Sequence, residues 1–270
     1  MNRQTLSRLP KIVFFDIDDT LLNHKTQQIA SSTRLALQKL RDKGIITAIA
    51  TGRTPAVLPS AVCELMAEVG MEMLVAINGQ YVRYQNQELV SFAMPEQQVF
   101  EIIEYLKKFD VAYAGVSHDG IRVSHESEGL LNAMRDLNIA YIPPASEQEN
   151  APIYQMLAFY RQEQAAEIEA NLPSNIKSVR WHKEGVDWLD ANGSKARGIA
   201  AALDKLGLQM SDAMAFGDGL NDLEMLQAVG FGVAMGNAHP DLQAIADYVC
   251  PSIENDGIWQ ALCDLGVIEA

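Results

Sequence analysis

Four short apolar runs, continuous rather than alternating and each ending abruptly in a polar loop, constrain the fold of this chain more than any other feature. Lys11–Phe15 runs into Asp16-Ile17-Asp18-Asp19-Thr20, and Ile45–Ala50 runs into Thr51-Gly52-Arg53. Met73–Ile77 stops at Asn78-Gly79, and Ala213–Phe216 stops at Gly217-Asp218-Gly219. A strand that is apolar at every position is buried on both faces, which is the habit of a parallel sheet covered by helices. Helical segments alternate with these runs. Ser31–Arg41 places Leu35, Leu37 and Leu40 among polar residues and is closed by Asp42-Lys43-Gly44. Thr54-Pro55 predicts an N-cap and first position for a helix through about Val69. The expected core is therefore α/β, Rossmann-like, with a parallel sheet covered by helices on both faces.

From Tyr81 to about Gly185 the pattern changes. Short strand-like pieces at Tyr81–Tyr84, Glu88–Phe92, Gly120–Ser124, Tyr154–Tyr160 and Ser178–Trp181 mix with helical stretches at Pro95–Phe109 and Gln162–Leu172. The first two pieces flank Gln85-Asn86-Gln87, which predicts a hairpin and hence antiparallel pairing. Pro143-Pro144 and Asn150-Ala151-Pro152 punctuate the middle. After Asp187 the core pattern returns, with helices at Ser194–Leu206, Asn221–Ala228, Pro240–Ala246 and from Ile258 onward. The strands among them are Ala213–Phe216, Phe231–Met235 and Tyr248-Val249. The expectation is a catalytic core built from residues 1–80 and 187–270, with an inserted α+β cap domain at 81–186.

Composition excludes several partners. Lys plus Arg number 21 against 35 Asp plus Glu, a net charge of −14, and so acidic a surface repels nucleic acid and anionic membranes. No apolar run reaches the roughly 20 residues of a membrane span. The start, Met1–Pro10, carries Arg3 and Arg8, but the apolar run after it is too short for a secretory signal. Cys63, Cys250 and Cys263 form neither a disulfide framework nor a zinc knuckle, and the five histidines show no pair at helical metal-binding spacing. A cytoplasmic globular protein is expected. The sequence carries no signal that fixes an oligomeric state.

The strand ends carry the chemistry. Asp16, Asp18 and Asp19 fall within four residues, and two like charges about 4 Å apart repel by ~1 kcal/mol in water and ~4 kcal/mol at a protein-like dielectric. A bound divalent cation is the simplest compensation, and oxygen ligands favour Mg²⁺. Read alone, the cluster is equally an exposed acidic turn. Asp218 and Asp222, with Asn221 between them, follow a second buried strand. Strands of one parallel sheet end at a common edge, so the two clusters are expected to face one another. Thr51-Gly52 offers a hydroxyl and backbone N–H groups suited to phosphate oxygens. Lys195, opening a helix after Asn192-Gly193-Ser194, supplies a point charge. Taken singly, Thr51–Pro55 also reads as a plain helix start and Lys195 as a solvated lysine.

In order, these segments resemble the four motifs of the haloacid dehalogenase (HAD) superfamily, specifically its Cof-type sugar-phosphatase-like branch. The resemblance rests on Asp16-Ile17-Asp18-Asp19-Thr20-Leu21, Ala50-Thr51-Gly52-Arg53, Ser194-Lys195 and Gly217-Asp218-Gly219-Leu220-Asn221-Asp222. Asn78-Gly79 and Met235-Gly236-Asn237-Ala238 are further segments typical of that branch. Asp19 stands where the family often has glycine. The resemblance implies a Mg²⁺-dependent phosphatase acting on a small phosphate ester: a sugar phosphate, pyridoxal phosphate or similar. Asp16 would be the nucleophile, forming an aspartyl-phosphate, and Asp18 the acid/base. Asp16, Asp18 and Asp218 would hold the metal with Asp222 nearby, while Thr51, Gly52, Lys195 and Asn221 would bind phosphate. A phosphomutase and a non-catalytic phospho-ligand-binding regulator are the alternative readings on the same scaffold. Retention of Asp16 and Asp18 argues against the regulator. Arg122, His125, Arg180 and His182 lie in the expected cap, where most such residues are simply solvated.

Overall fold

A computed structural model describes residue 6 and residues 8–144 and 151–269. Arg3 and Asn150, both named above, lie outside the described residues. By internal contacts the chain divides into two compact units. One comprises Met1–Gly52, Leu58–Val90 and Ser194–Ala270; the other comprises Arg53–Val57 and Ser91–Gly193.

The first unit is built on a sheet of eight strands among the described residues. In chain order they are β1 (Ile12–Phe15), β2 (Ile46–Ala50), β3 (Met73–Ala76), β4 (Tyr81–Tyr84), β5 (Gln87–Ser91), β11 (Ala213–Gly217), β12 (Phe231–Ala234) and β13 (Tyr248–Val249). Across the sheet the order is β13-β12-β11-β1-β2-β3-β4-β5. Every pairing from β13 to β3 is parallel. The continuous apolar runs are buried as their pattern requires, apart from the exposed Ile46 that opens β2: Ile12 to Phe15 are fully covered, and the Phe15 and Phe216 rings stack at 5.2 Å. Helices α1 (Ser31–Asp42), α2 (Ser60–Val69), α6 (Lys195–Leu206), α7 (Leu223–Ala228), α8 (Pro240–Ile245) and α9 (Gly257–Asp264) also belong to this unit. Their caps follow the sequence signals. Ser194 accepts a hydrogen bond from Arg197 N at the start of α6, and Gly70 and Gly207 end α2 and α6 in left-handed conformation.

The second unit carries an antiparallel sheet of β6 (Ala112–Ser117), β7 (Gly120–Val123), β8 (Gln155–Phe159), β9 (Ile176–His182) and β10 (Gly185–Asp190), ordered β7-β6-β8-β10-β9. Helices α3 (Glu96–Lys107), α4 (Glu128–Asp136) and α5 (Gln162–Ile168) accompany it. Its core gathers Ile102, Leu106, Met156, Ala158, Ile168, Val186 and Trp188.

Three expectations need correction. The hairpin at Tyr81–Ser91 belongs to the core sheet, because β4 pairs antiparallel with β3. The two-residue turn of Gln85 and Asn86, both at positive φ, lays β5 beside β4 at the sheet edge. At the other end, Gly185–Asp190 pairs with β8 and β9 in the second unit, so the return crossing falls near Ser194 instead of Asp187. Thr54-Pro55 does not open α2. The Thr54 hydroxyl is buried and donates to Ser117 O at 2.6 Å, residues Pro55–Val57 form a single 3₁₀ turn, and the helix starts at Ser60 after Pro59. Arg53 and Thr54, which directly follow Thr51-Gly52 in sequence, thus pack with the second unit, and Arg53 donates to Leu137 O at 3.0 Å.

Candidate active site

The site lies at the carboxyl ends of β1, β2 and β11, where parallel strands deliver their following loops to one edge. β1 ends at Phe15, so Asp16 emerges at its tip, and the Asp16 N–H donates to Phe216 O at 3.0 Å. β11 ends at Gly217, which puts Asp218 beside it. Sequence positions 179 apart meet when Lys195 Nζ donates to Asp16 Oδ1 at 2.7 Å. The same ammonium donates to Asp222 Oδ1 at 2.7 Å. Lys195 has 0% exposure and is no solvated helix lysine.

Asp222 is tied on its other side as well. Its Oδ2 accepts from the Asp218 and Gly219 backbone N–H groups, both at 3.0 Å. It therefore caps its own loop and holds the lysine at once. Oxygens of Asp16, Asp218 and Asp222 lie within 4.8 Å of one another. Three carboxylates around one ammonium leave a negative excess in a buried place. Burial raises Asp16 to about 7 against the pull of Lys195, with Asp222 and Asp18 adding to the rise. Burial likewise pushes Asp218 up to about 9, followed in size by repulsion from Asp16, Asp222 and Asp19.

An all-oxygen donor set that is short of positive charge suits a hard divalent cation such as Mg²⁺. Asp16 and Asp218 are the better donors, since both Asp222 oxygens already serve Lys195 and the loop. Asp18 stands two residues beyond Asp16 on the same loop, partly exposed, and its backbone bridges to Leu22.

Thr51, Gly52 and Asn221 come together. Thr51 is buried, with its N–H on Val75 O and its carbonyl accepting from Asn78 N at 3.0 Å. A Cβ on Gly52 would sit 3.1 Å from Asn78 Oδ1 and 3.5 Å from Asn221 Nδ2. Asn221 Nδ2 donates to Asn78 Oδ1 at 3.1 Å. Arg122 and Arg180, by contrast, lie in the second unit. Arg122 pairs with Asp119 at 2.8 Å, and Arg180 donates to Tyr160 O at 2.9 Å, so both guanidiniums serve that unit's own structure.

Several participants carried no assigned role in the sequence. Thr20 Oγ1 donates to Asp218 Oδ1 at 3.2 Å, a bridge between the two acidic loops that a threonine directly after three acids could have signalled. Asp19 sits at φ 54°, a conformation that favours glycine and that aspartate tolerates. Its carboxylate is taken up by His24, through the backbone N–H at 3.2 Å and Nδ1 at 2.5 Å. Asn237 Nδ2 donates to Asp19 O at 2.9 Å while its Oδ1 accepts from Ile253 N, fastening the first acidic loop to the C-terminal segment.

Comparison with known proteins agrees with this geometry. Residues 13–262 match the family described as haloacid dehalogenase-like hydrolase. The chain is 33% identical to "Putative phosphatase YkrA" of Bacillus subtilis, across 96% of this chain and 99% of that protein. It is 28% identical to the B. subtilis 5-amino-6-(5-phospho-D-ribitylamino)uracil phosphatase YcsE, across 93% and 94%. Among solved structures, the HAD subclass IIB sugar phosphatase BT4131 superposes with a TM-score of 0.86 at 31% identity, covering 95% of this chain and 99% of that one. The carboxylate–lysine cluster at the sheet edge and these likenesses lead to one conclusion: the chain belongs to the haloacid dehalogenase-like hydrolases and is a phosphatase of that family.

Proposed function

We propose that the chain is a Mg²⁺-dependent phosphatase of small phosphorylated metabolites, of the sugar-phosphate or pyridoxal-phosphate kind, working through an aspartyl-phosphate. The observation that carries this reading is the buried Lys195 ammonium held between Asp16 and Asp222 beside Asp218.

In the first half-reaction an Asp16 carboxylate oxygen forms a bond to phosphorus while the bond from phosphorus to the ester oxygen breaks. Asp18 gives its proton to that departing oxygen, and the alcohol leaves. In the second half, water attacks phosphorus and gives a proton to Asp18, the bond to Asp16 breaks, and inorganic phosphate departs with the Asp16 carboxylate restored. Lys195 eases the ionisation of Asp16 against its burial and offsets charge on the transferring group, while Thr51, Gly52 and Asn221 bind the phosphoryl oxygens. Mg²⁺, held by Asp16 and Asp218 with Asp18 beside them, would supply positive charge for both phosphate and nucleophile.

Support for a sugar- or polyol-phosphate substrate comes from the relatives, of which one is described as a sugar phosphatase and another acts on a phosphoribitylamino compound. The core loops supply generic phosphate chemistry, so recognition of the organic part is assigned to the inserted unit. Phosphate release from p-nitrophenyl phosphate tests the reading. Turnover should require Mg²⁺, stop on chelation, be poorly supported by Ca²⁺, and vanish in Asp16→Asn. Full activity in excess EDTA, or in that variant, would overturn it. A screen of phosphorylated metabolites then ranks the substrates.

A further inference from the structure

Asn78-Gly79 has no place in the chemistry above, yet three parts of the phosphate-binding half of the site converge on it. Asn78 is buried in left-handed conformation at φ 49° and ψ 39°. Its backbone N–H donates to Thr51 O at 3.0 Å, which fixes the carbonyl immediately before Gly52. Its side-chain Oδ1 accepts from Asn221 Nδ2 at 3.1 Å. Gly52 packs against both amides.

Gly79 does the complementary work on the lysine. At φ +84° a Cβ here would fall 2.0 Å from Ser194 O and 3.0 Å from Gly198 N, the backbone of the α6 first turn. Gly198 answers it, since a Cβ there would lie 2.6 Å from Gly79 Cα. The close approach seats the helix start that carries Lys195. Gln80, next in sequence, accepts from Arg197 Nη2 on the same turn.

We infer that Asn78 is a positioning residue for phosphate binding. Its side-chain amide orients Asn221 and its backbone holds the Thr51-Gly52 loop, so the residues that bind the phosphoryl oxygens move as one block with the Asn78-Gly79 turn. This rests on the phosphatase reading of the site and deepens it. A turn serving only stability would leave phosphate affinity alone in variants that stay folded. An orienting amide shows itself in phosphate affinity, and only while Asn221 is present to be oriented.

The test uses the full chain with Mg²⁺ and takes inorganic phosphate as the probe, read as a competitive inhibitor of p-nitrophenyl phosphate turnover. Asn78→Gly keeps the left-handed backbone and removes the amide. Asn78→Asp keeps the shape and one acceptor, and is the second variant should the first fail to fold. Asn78→Gly should raise Ki for phosphate and KM for the ester together by about tenfold, the order expected for one lost hydrogen bond, with a smaller fall in kcat. Asn78→Asp keeps the acceptor for Asn221 and should recover part of that loss at low pH, where its carboxyl is neutral.

In an Asn221→Ala background the Asn78→Gly change should add less than about twofold, because coupled residues are not additive. A folded Asn78→Gly with unchanged Ki would overturn the inference, and so would a full multiplicative loss in the double variant. The phosphatase-site reading fails separately: a wild-type enzyme indifferent to phosphate, or Thr51→Ala with undiminished phosphate inhibition, would sink the site itself.

Discussion

Replacing Lys195 with methionine keeps the length of the side chain and deletes the ammonium that two buried carboxylates share. Asp16 and Asp222 would then lie 0–9% exposed with no cation beside them. Removing one partner of a buried ion pair costs about 3–5 kcal/mol, and at 2–4 °C per kcal/mol this lowers Tm by roughly 6–20 °C. The pH dependence separates loss of the charge from a general packing defect. Lysine ionises near 10.4 when unfolded and higher here, where Asp16 and Asp222 hold its proton against the effect of burial, so it titrates in neither state near neutrality.

Asp16 does titrate there. In the wild type its folded carboxyl already holds a proton up to about pH 7, and without Lys195 it holds it higher still. An acid with a raised folded pKa leaves the unfolded chain with fewer bound protons, so stability falls as pH rises from the unfolded value to the folded one. Below about pH 7 both proteins carry a protonated folded Asp16 and lose stability in parallel. Above it only the variant goes on losing, by up to ~1.4 kcal/mol per pH unit. Thermal melts in EDTA from about pH 6 to about pH 9 should therefore show a deficit that widens upward. Turnover with Mg²⁺ should fall by at least ~10³, because the proposed nucleophile Asp16 and the phosphate would both lose their counter-charge. A deficit flat across that range, or turnover near wild type, would show that Lys195 does not neutralise this cluster.

Three further outcomes are expected. Asp18→Asn should slow single-turnover phosphorylation by esters with poor leaving groups far more than by p-nitrophenyl phosphate; equal slowing of both would remove Asp18 as the leaving-group acid. Gly79→Ala should cost about 3 kcal/mol, from a left-handed backbone and a Cβ driven into Ser194 O, and melting within 2 °C or so of wild type would show that α6 can retreat. Joining Val90 to Ser194 with a short linker should leave a cooperatively folding core that still binds Mg²⁺ but discriminates poorly among esters. Excising 81–186 instead strips β4 and β5 from the sheet, and its melt should be lower and broader; indistinguishable melts would mean the edge hairpin contributes nothing.

What the sequence made legible followed from burial and chain punctuation. β1, β3 and β11 are apolar on every residue and β2 on all but Thr47 because both faces are covered over most of their length, and the loops at their ends were readable for the same reason. The edge hairpin misled because β4 and β5 mix polar and apolar residues. An edge strand does so whether it closes a core sheet or starts a new domain. Ala112–Ser117 and Gly185–Asp190 escaped notice through small residues and charges inside buried strands: Gly115 leaves room for Ile153, and Asp187 is buried in β10. Thr54-Pro55 has the composition of a helix cap, and only the long-range bond to Ser117 diverts it. The acids and the lysine were readable as types, whereas the division of labour between Asp16 and Asp222 around one ammonium depends on distances that spacing does not encode.

The place of β1 between β2 and β11 has a consequence for how the chain comes to be folded during synthesis. The loops of β1 and β11 meet through residues 198 positions apart, so the central strand emerges from the ribosome long before one of its two neighbours exists. At ~5–20 residues per second that wait lasts on the order of ten seconds or more, with one flank of a wholly apolar strand unpaired. The inserted unit shortens the search that follows. Its sheet draws only on residues between Ala112 and Asp190, so it can assemble before β11 is made, and closing a loop that is already partly folded costs less chain entropy than closing one of free coil. An insertion to which we assign substrate specificity would then also serve as a folding spacer, and mutations that unfold it should lower the yield of soluble protein even where they touch nothing in the core.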